Sequence, residues 1–227
     1  GSGLIVKDEL GQDQILNIER IIADGSFTNT IDGELNAAGN ASFAVNLGAG
    51  GTEAGFGFLT VTPIVANPFF SGPVTFDIQN FDNVVGTVNN DSITGNDDDN
   101  VFTGSTGDDT INGLGGNDTV DYSELEGALT LGGSGDIAKG VVDANGIGSL
   151  GNDLLIGTGA GTPADPIVNS IETIIGNEEF TNTISGQLNV DPADTNSSFD
   201  IDLREDADGF QSLIVDISTP TVGPLDF

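Results

Sequence analysis

Residues 86–121 read GTVNNDSIT, GNDDDNVFT, GSTGDDTIN and GLGGNDTVD, four nonapeptides that follow one another without an insertion. Each opens on glycine, at Gly86, Gly95, Gly104 and Gly113. Position six is Asp91, Asn100, Asp109 and Asp118, and position eight is apolar in every unit, at Ile93, Phe102, Ile111 and Val120. One apolar anchor per unit, set among Gly, Asn, Asp and Thr, excludes an amphipathic helix, which needs an apolar residue about every 3.6 positions. The pattern predicts a six-residue turn followed by a three-residue strand, with glycine taking backbone angles closed to other residues and the apolar side chain pointing inward. Two such units close one coil. Stacked coils set equivalent residues about 4.8 Å apart, so the position-eight side chains form an interior ladder. The same stacking brings position-six carboxylates side by side, which is prohibitive unless a cation lies between them. The chain has neither cysteine nor histidine, so thiolate and imidazole ligands are excluded and any metal must be hard and oxygen-loving. Calcium accepts six to eight oxygens, which turn carbonyls and a pair of carboxylates supply.

These nonapeptides resemble the GGxGxDxUx motif of the RTX (hemolysin-type) calcium-binding repeat proteins, a family of secreted parallel β-rolls. Looser likeness extends to the flanks, through Asn17-Ile18-Glu19 with Asn29-Thr30-Ile31, Phe81-Asp82 with Asp91-Ser92-Ile93, and Ile171-Glu172 with Asn182-Thr183-Ile184. The resemblance implies an all-β fold, a parallel β-roll or solenoid with flanking strand segments. It also implies Ca2+ held between unit n and unit n+2. Carried onto this sequence, one site pairs Asp91 with Asp109 and the other pairs Asn100 with Asp118, with turn carbonyls near Asn89, Asp98, Gly107 and Gly116 completing the shells. The chain departs from the motif at position four, where Asn89 and Asp98 replace the usual glycine, and at Asn100, which replaces aspartate. Asp98 and Asp99 either compensate for the missing carboxylate or are simply solvated. In the outer copies the corresponding residues are the neutral Asn29 and Asn182, so those turns are expected to fold without metal.

A second, longer period surrounds the first. Residues Ile18–Asn36 match Ile171–Asn189 at 12 of 19 positions with an offset of 153, sharing IExII and FTNTIxGxLN. Ser42-Phe43-Ala44-Val45-Asn46-Leu47 resembles Ser198-Phe199-Asp200-Ile201-Asp202-Leu203, and Gly72-Pro73 recurs as Gly223-Pro224. The chain therefore reads as about one and a half copies of a tandem unit taken from a longer array, the alternative being an old duplication inside a complete protein. Three segments are expected: 1–75 as a partial repeat unit with β-strands, 76–131 as the calcium-binding roll, and 132–227 as a second partial unit homologous to 13–75. The alternations Phe43/Val45/Leu47 and Phe199/Ile201/Leu203 mark half-buried strands, and residues 55–62 and 210–218 add further strand-like runs. Ile15, Ile18 and Ile22 have helical spacing, but their β-branching favours strand. Pro63, Pro68 and Pro73 predict an irregular excursion or edge strand over 62–74, with Phe69-Phe70 as an exposed contact.

Thirty-six acidic residues against four basic ones give a formal charge of −32. Nucleic acid and anionic membrane both require clustered positive charge, so neither is an expected partner. No apolar run is long enough to span a bilayer. The opening Gly1-Ser2-Gly3 has the character of an expression remnant, which places any export signal outside this stretch. Without histidine or cysteine, and with one tyrosine, triads, imidazole bases and thiol nucleophiles are absent, and no enzyme is expected. The expected function is a calcium-binding structural module of a secreted, extracellular or cell-surface bacterial protein (surface layer, sheath, fibre or adhesin), partnered by calcium and by itself or other surface components. The alternatives are a calcium-dependent module for carbohydrate or ice, and the folding and secretion tail of a larger enzyme.

Overall fold

The computed structural model is nearly all strand. It describes residues 18–34, 39–64, 72–132, 135–141, 147–156 and 170–185, together with the backbone of five further strands. Two of these, β1 (Ser2–Val6) and β2 (Gln12–Leu16), pair antiparallel. A first coil follows as β3 (Arg20–Ile22) and β4 (Thr30–Asp32), where β-branching prevails over helical spacing. The chain then makes an antiparallel meander of β5 (Ala41–Asn46), β6 (Gly57–Pro63) and β7 (Val74–Gln79). Phe69 and Phe70 lie outside the described residues.

β8 (Asn83–Val85) leads into the nonapeptides, which supply β9 (Ser92–Thr94), β10 (Val101–Thr103), β11 (Thr110–Asn112) and β12 (Thr119–Tyr122). Successive strands fall on opposite sheets, and each pairs in parallel with the strand two units away: β8 with β10, β10 with β12, and β9 with β11. This is the parallel roll that the nine-residue period predicts. A second meander, β13 (Leu129–Gly132), β14 (Asp136–Lys139) and β15 (Gly151–Leu155), returns the chain to β11. A last coil, β16 (Thr173–Gly176) and β17 (Thr183–Ser185), precedes a separate antiparallel sheet of β18 (Ser197–Asp202), β19 (Ser212–Ile217) and β20 (Leu225–Asp226). Two sheets thus enclose the core, one in the order β16-β12-β10-β8-β4, the other β17-β13-β14-β15-β11-β9-β5-β6-β7-β3.

Between them run two ladders. Ile31, Val84, Phe102, Val120 and Ile174 stand in register on the five-stranded sheet. Val45, Ile93, Ile111 and Leu155 do so on the ten-stranded one. Apart from the half-buried Ile174, all are buried, as the position-eight pattern predicts. Glycine at position one is required by packing. A Cβ on Gly95 or Gly113 would collide with the position-six side chain of its own unit, and one on Gly104 would enter the Tyr122 ring. Among the described residues no helix is long and apolar enough to cross a membrane.

Candidate metal centre in the stacked turns

The turns stack into two columns, one leading into each sheet, and in both an aspartate at position six caps a backbone amide of the neighbouring coil. On the ten-stranded side Phe43 N–H donates to Asp91 Oδ1 at 2.6 Å, Asp91 N–H to Asp109 Oδ1 at 2.9 Å, and Asp109 N–H to Asp153 Oδ1 at 3.0 Å. The carboxylates are therefore staggered, each facing an N–H rather than only its neighbour's charge. A second relay runs the opposite way through position five. Asp108 N–H donates to Asn90 Oδ1, Asn152 N–H to Asp108 Oδ1, and Asn117 N–H to Asp99 Oδ1.

The Asp91–Asp109–Asp153 column contains its own cation. Lys139, with no exposed side-chain surface, sets Nζ 2.5 Å from Asp153 Oδ1, 3.3 Å from Asp109 Oδ2 and 2.6 Å from the Ser105 carbonyl. Tyr122 OH donates to Asp153 Oδ2 at 2.6 Å. Asp91 is satisfied separately, its Oδ2 by Thr87 N–H and its Oδ1 by Thr87 Oγ1 as well as Phe43. Burial pushes the pKa of all three acids up. For Asp109 the neighbouring Asp153 charge adds to this and Lys139 opposes it. Tyr122 is likewise driven above its ordinary range by burial and by Asp153.

Among the described residues the opposite column has no such lysine. Asn29 N–H donates to Asp82 Oδ2, Asn100 Nδ2 to the Asp82 carbonyl, Asn100 N–H to Asp118 Oδ1 at 2.8 Å, and Asp118 N–H to Glu172 Oε2 at 2.7 Å. Asp118 is buried, and its Oδ2 has no hydrogen-bond partner. That oxygen and the Ser170 carbonyl both crowd the space in which Gly113 has no side chain. Burial lifts the Asp118 carboxyl to about 6, Glu172 and Asp99 push it the same way, and the Asn100 amide opposes them.

The sequence-predicted pairs are thus neighbours, Asp91 with Asp109 and Asn100 with Asp118. The predicted turn residues stack as well. Gly107 at φ +101° lies against the Asn89 carbonyl, and Gly116 at φ +110° against that of Asp98, each with a Cβ position 2.6 Å from that peptide group. Asp98 is exposed, while Asp99 accepts the Asn117 amide. Among the described residues no three acidic side chains converge on one point, so a calcium shell here would draw most of its oxygens from carbonyls. Sequence reasoning missed Lys139, Asp153, Tyr122 and Glu172, and it passed over a visible signal, the unbroken Asn90, Asp99, Asp108, Asn117 series at position five. No family model, curated protein or solved structure matches this chain.

The elevated Asp118 pKa sets a pH dependence. A carboxyl whose pKa is higher folded than unfolded binds more protons in the folded state, so its contribution is intact below its ordinary pKa of 3.8 and is lost as pH rises through about 6. Urea midpoints of the metal-free chain should fall across that window, and Asp118→Asn should flatten this part of the profile. An unchanged slope in the variant would show that Asp118 ionises without penalty.

Proposed function

We propose that this chain is a calcium-binding structural module of a secreted or cell-surface bacterial protein, in which Ca2+ rigidifies a repeat array and promotes self-assembly. The observation that carries the reading is Asp118 Oδ2, a buried carboxylate oxygen without a donor, beside the Ser170 carbonyl and in a column with no internal cation among the described residues. An unpaired buried charge is strongly unfavourable, and a hard divalent ion offsets it at an all-oxygen site. Asn100 and Asp118, with carbonyls near Asp98 and Gly116, would hold the ion; Asp91 and Asp109, with carbonyls near Asn89 and Gly107, are the second candidate set. In the second set Lys139 and backbone amides already answer the carboxylates, so Asp118 bears most of the weight of the reading. The ion would supply charge neutralisation and cross-linking of adjacent coils, and the scarcity of free calcium inside cells would confine that locking to the exterior.

The test is thermal melting by far-UV circular dichroism, with light scattering, on EDTA-stripped protein titrated with calcium and with magnesium as control. Calcium at a hundred times its dissociation constant should stabilise the fold by about 2.7 kcal/mol, magnesium by much less, and particle growth in the calcium arm would support assembly. Asp118→Asn keeps an acceptor for the Asn100 amide and should fold without metal while losing the calcium response. A wild-type melt that is identical in EDTA and calcium would sink the assignment.

A further inference from the structure

The two copies of the IExII…FTNTIxG segment lie at opposite ends of the roll. At offset 153, β3 corresponds to β16 and β4 to β17. Among the described residues each copy is paired on one side only, and the sides are complementary. β3 pairs in parallel with β7, Arg20–Ile22 against Asp77–Gln79, with Asp77 N–H donating to the Glu19 carbonyl and Ala23 N–H to that of Gln79. In a parallel strand one residue directs both backbone groups to one neighbour and the next residue directs both to the other. Glu19, Ile21 and Ala23 therefore serve β7. β16 pairs with β12 instead, with Thr173 N–H donating to the Asp118 carbonyl. Thr173 and Ile175 serve β12, which leaves Ile174 and Gly176, the counterparts of Ile21 and Ala23, directed at the open edge.

We propose that the open edge of β16 is the docking site for a β7-type strand from the next copy of this repeat unit, in the parallel register Thr173–Ile175 against Asp77–Gln79. The segment that would carry it is already partly present. β18, β19 and β20 repeat the β5–β6–β7 meander in strand order and direction, and Gly223-Pro224-Leu225-Asp226-Phe227 aligns with Gly72-Pro73-Val74-Thr75-Phe76. The column side chains agree. Asn29 N–H reaches Asp82 on the side of the following coil, whereas its counterpart Asn182 accepts the Leu129 amide through Oδ1 on the side of the preceding one. Each half of a coil-to-coil junction is therefore seen once, at opposite ends.

The junction also fixes how units turn. β3 belongs to the ten-stranded sheet and its counterpart β16 to the five-stranded one, while β4 and β17 are exchanged in the opposite sense. A following unit would therefore add its meander to the five-stranded sheet. Successive copies of the β5–β7 meander would then alternate between the two sheets of the roll, and one structural period spans two sequence periods. Arg20, which ties β3 to Asp77 and Glu53, is replaced by Thr173, so the second junction rests on backbone pairing and the Ile174 position.

The test appends Asp-Ile-Gln-Asn-Phe-Asp, the sequence of residues 77–82, after Phe227 of the full chain, which makes docking intramolecular and removes dependence on peptide affinity. Calcium stays in the buffer throughout, so failure of the metal reading leaves this outcome unaltered. The amides of Ile174 and Gly176 should become at least roughly tenfold slower to exchange than in the unextended chain, as protected strand amides do. With Thr173→Cys, a cysteine at the first appended position should form a disulfide, readily interpreted because the native chain has no cysteine. Thr183→Cys, on the other sheet, should not form one. Unaltered exchange at Ile174, or equal cross-linking at the two positions, would overturn the proposal, and melting of each variant checks that the roll itself is intact.

Discussion

Lys139→Met is expected to destabilise the roll by about 3–5 kcal/mol, the usual consequence of stripping one partner from a buried ion pair. The side chain is wholly buried and reaches Asp153, Asp109 and the Ser105 carbonyl at once. Methionine fills a similar volume, so the loss isolates charge from packing. Two carboxylates in the same column then face one another in a dry environment whose remaining donors are the backbone amides and Tyr122 OH. Urea unfolding at neutral pH measures the effect. Adding Asp153→Asn to the variant should recover part of the loss, since it removes one of the stranded charges. A cost below about 1 kcal/mol would place Lys139 with ordinary surface pairs and indicate that water enters the column.

Phe102→Ala should cost a similar amount, about 3–5 kcal/mol, for a different reason. Phe102 has no exposed surface and stands in register between Val84 and Val120, at the middle of the five-stranded sheet. Coils above and below are fixed in register by their own backbone bonds, so neither can move in to fill the space. Chemical denaturation again reads the change. A loss under 2 kcal/mol would mean that the opposing Ile93 and Ile111 ladder relaxes into the cavity, and that the roll is softer than a close-packed core.

The roll itself was legible because every unit repeats the same instruction. Position eight is apolar and position one is glycine without exception over four units, and both rules have a direct cause in the structure, the interior ladder and the collision that a Cβ would suffer. The pairing of Asp91 with Asp109 and of Asn100 with Asp118 was what the resemblance to calcium-binding nonapeptides implied. What closes the columns was not legible. Asp153 continues the series after Asp109 at a separation of 44 residues rather than 18, because the second meander intervenes, and Glu172 follows Asp118 at 54. Lys139 arrives from β14, a strand with no nonapeptide pattern. Its only trace in the sequence is its rarity as one of four basic residues. A period reports what repeats, and these contacts occur once. The position-five relay does repeat, but acidic and amide residues are expected in any glycine-rich turn, so its regularity was hidden by its composition.

The parallel pairing of β8, β10 and β12 has a mechanical consequence. Hydrogen bonds between coils run along the axis of the roll, so tension applied along that axis loads them directly, while the covalent chain winds around it as a spring does. Each coil advances the roll by only about 4.8 Å, yet its two nonapeptides would span roughly 60 Å when drawn out. Surrendering a single coil therefore lengthens the molecule more than tenfold relative to the rise it gave up, and does so without breaking a covalent bond. Under load the roll is expected to yield one coil at a time and to rewind when the load is removed.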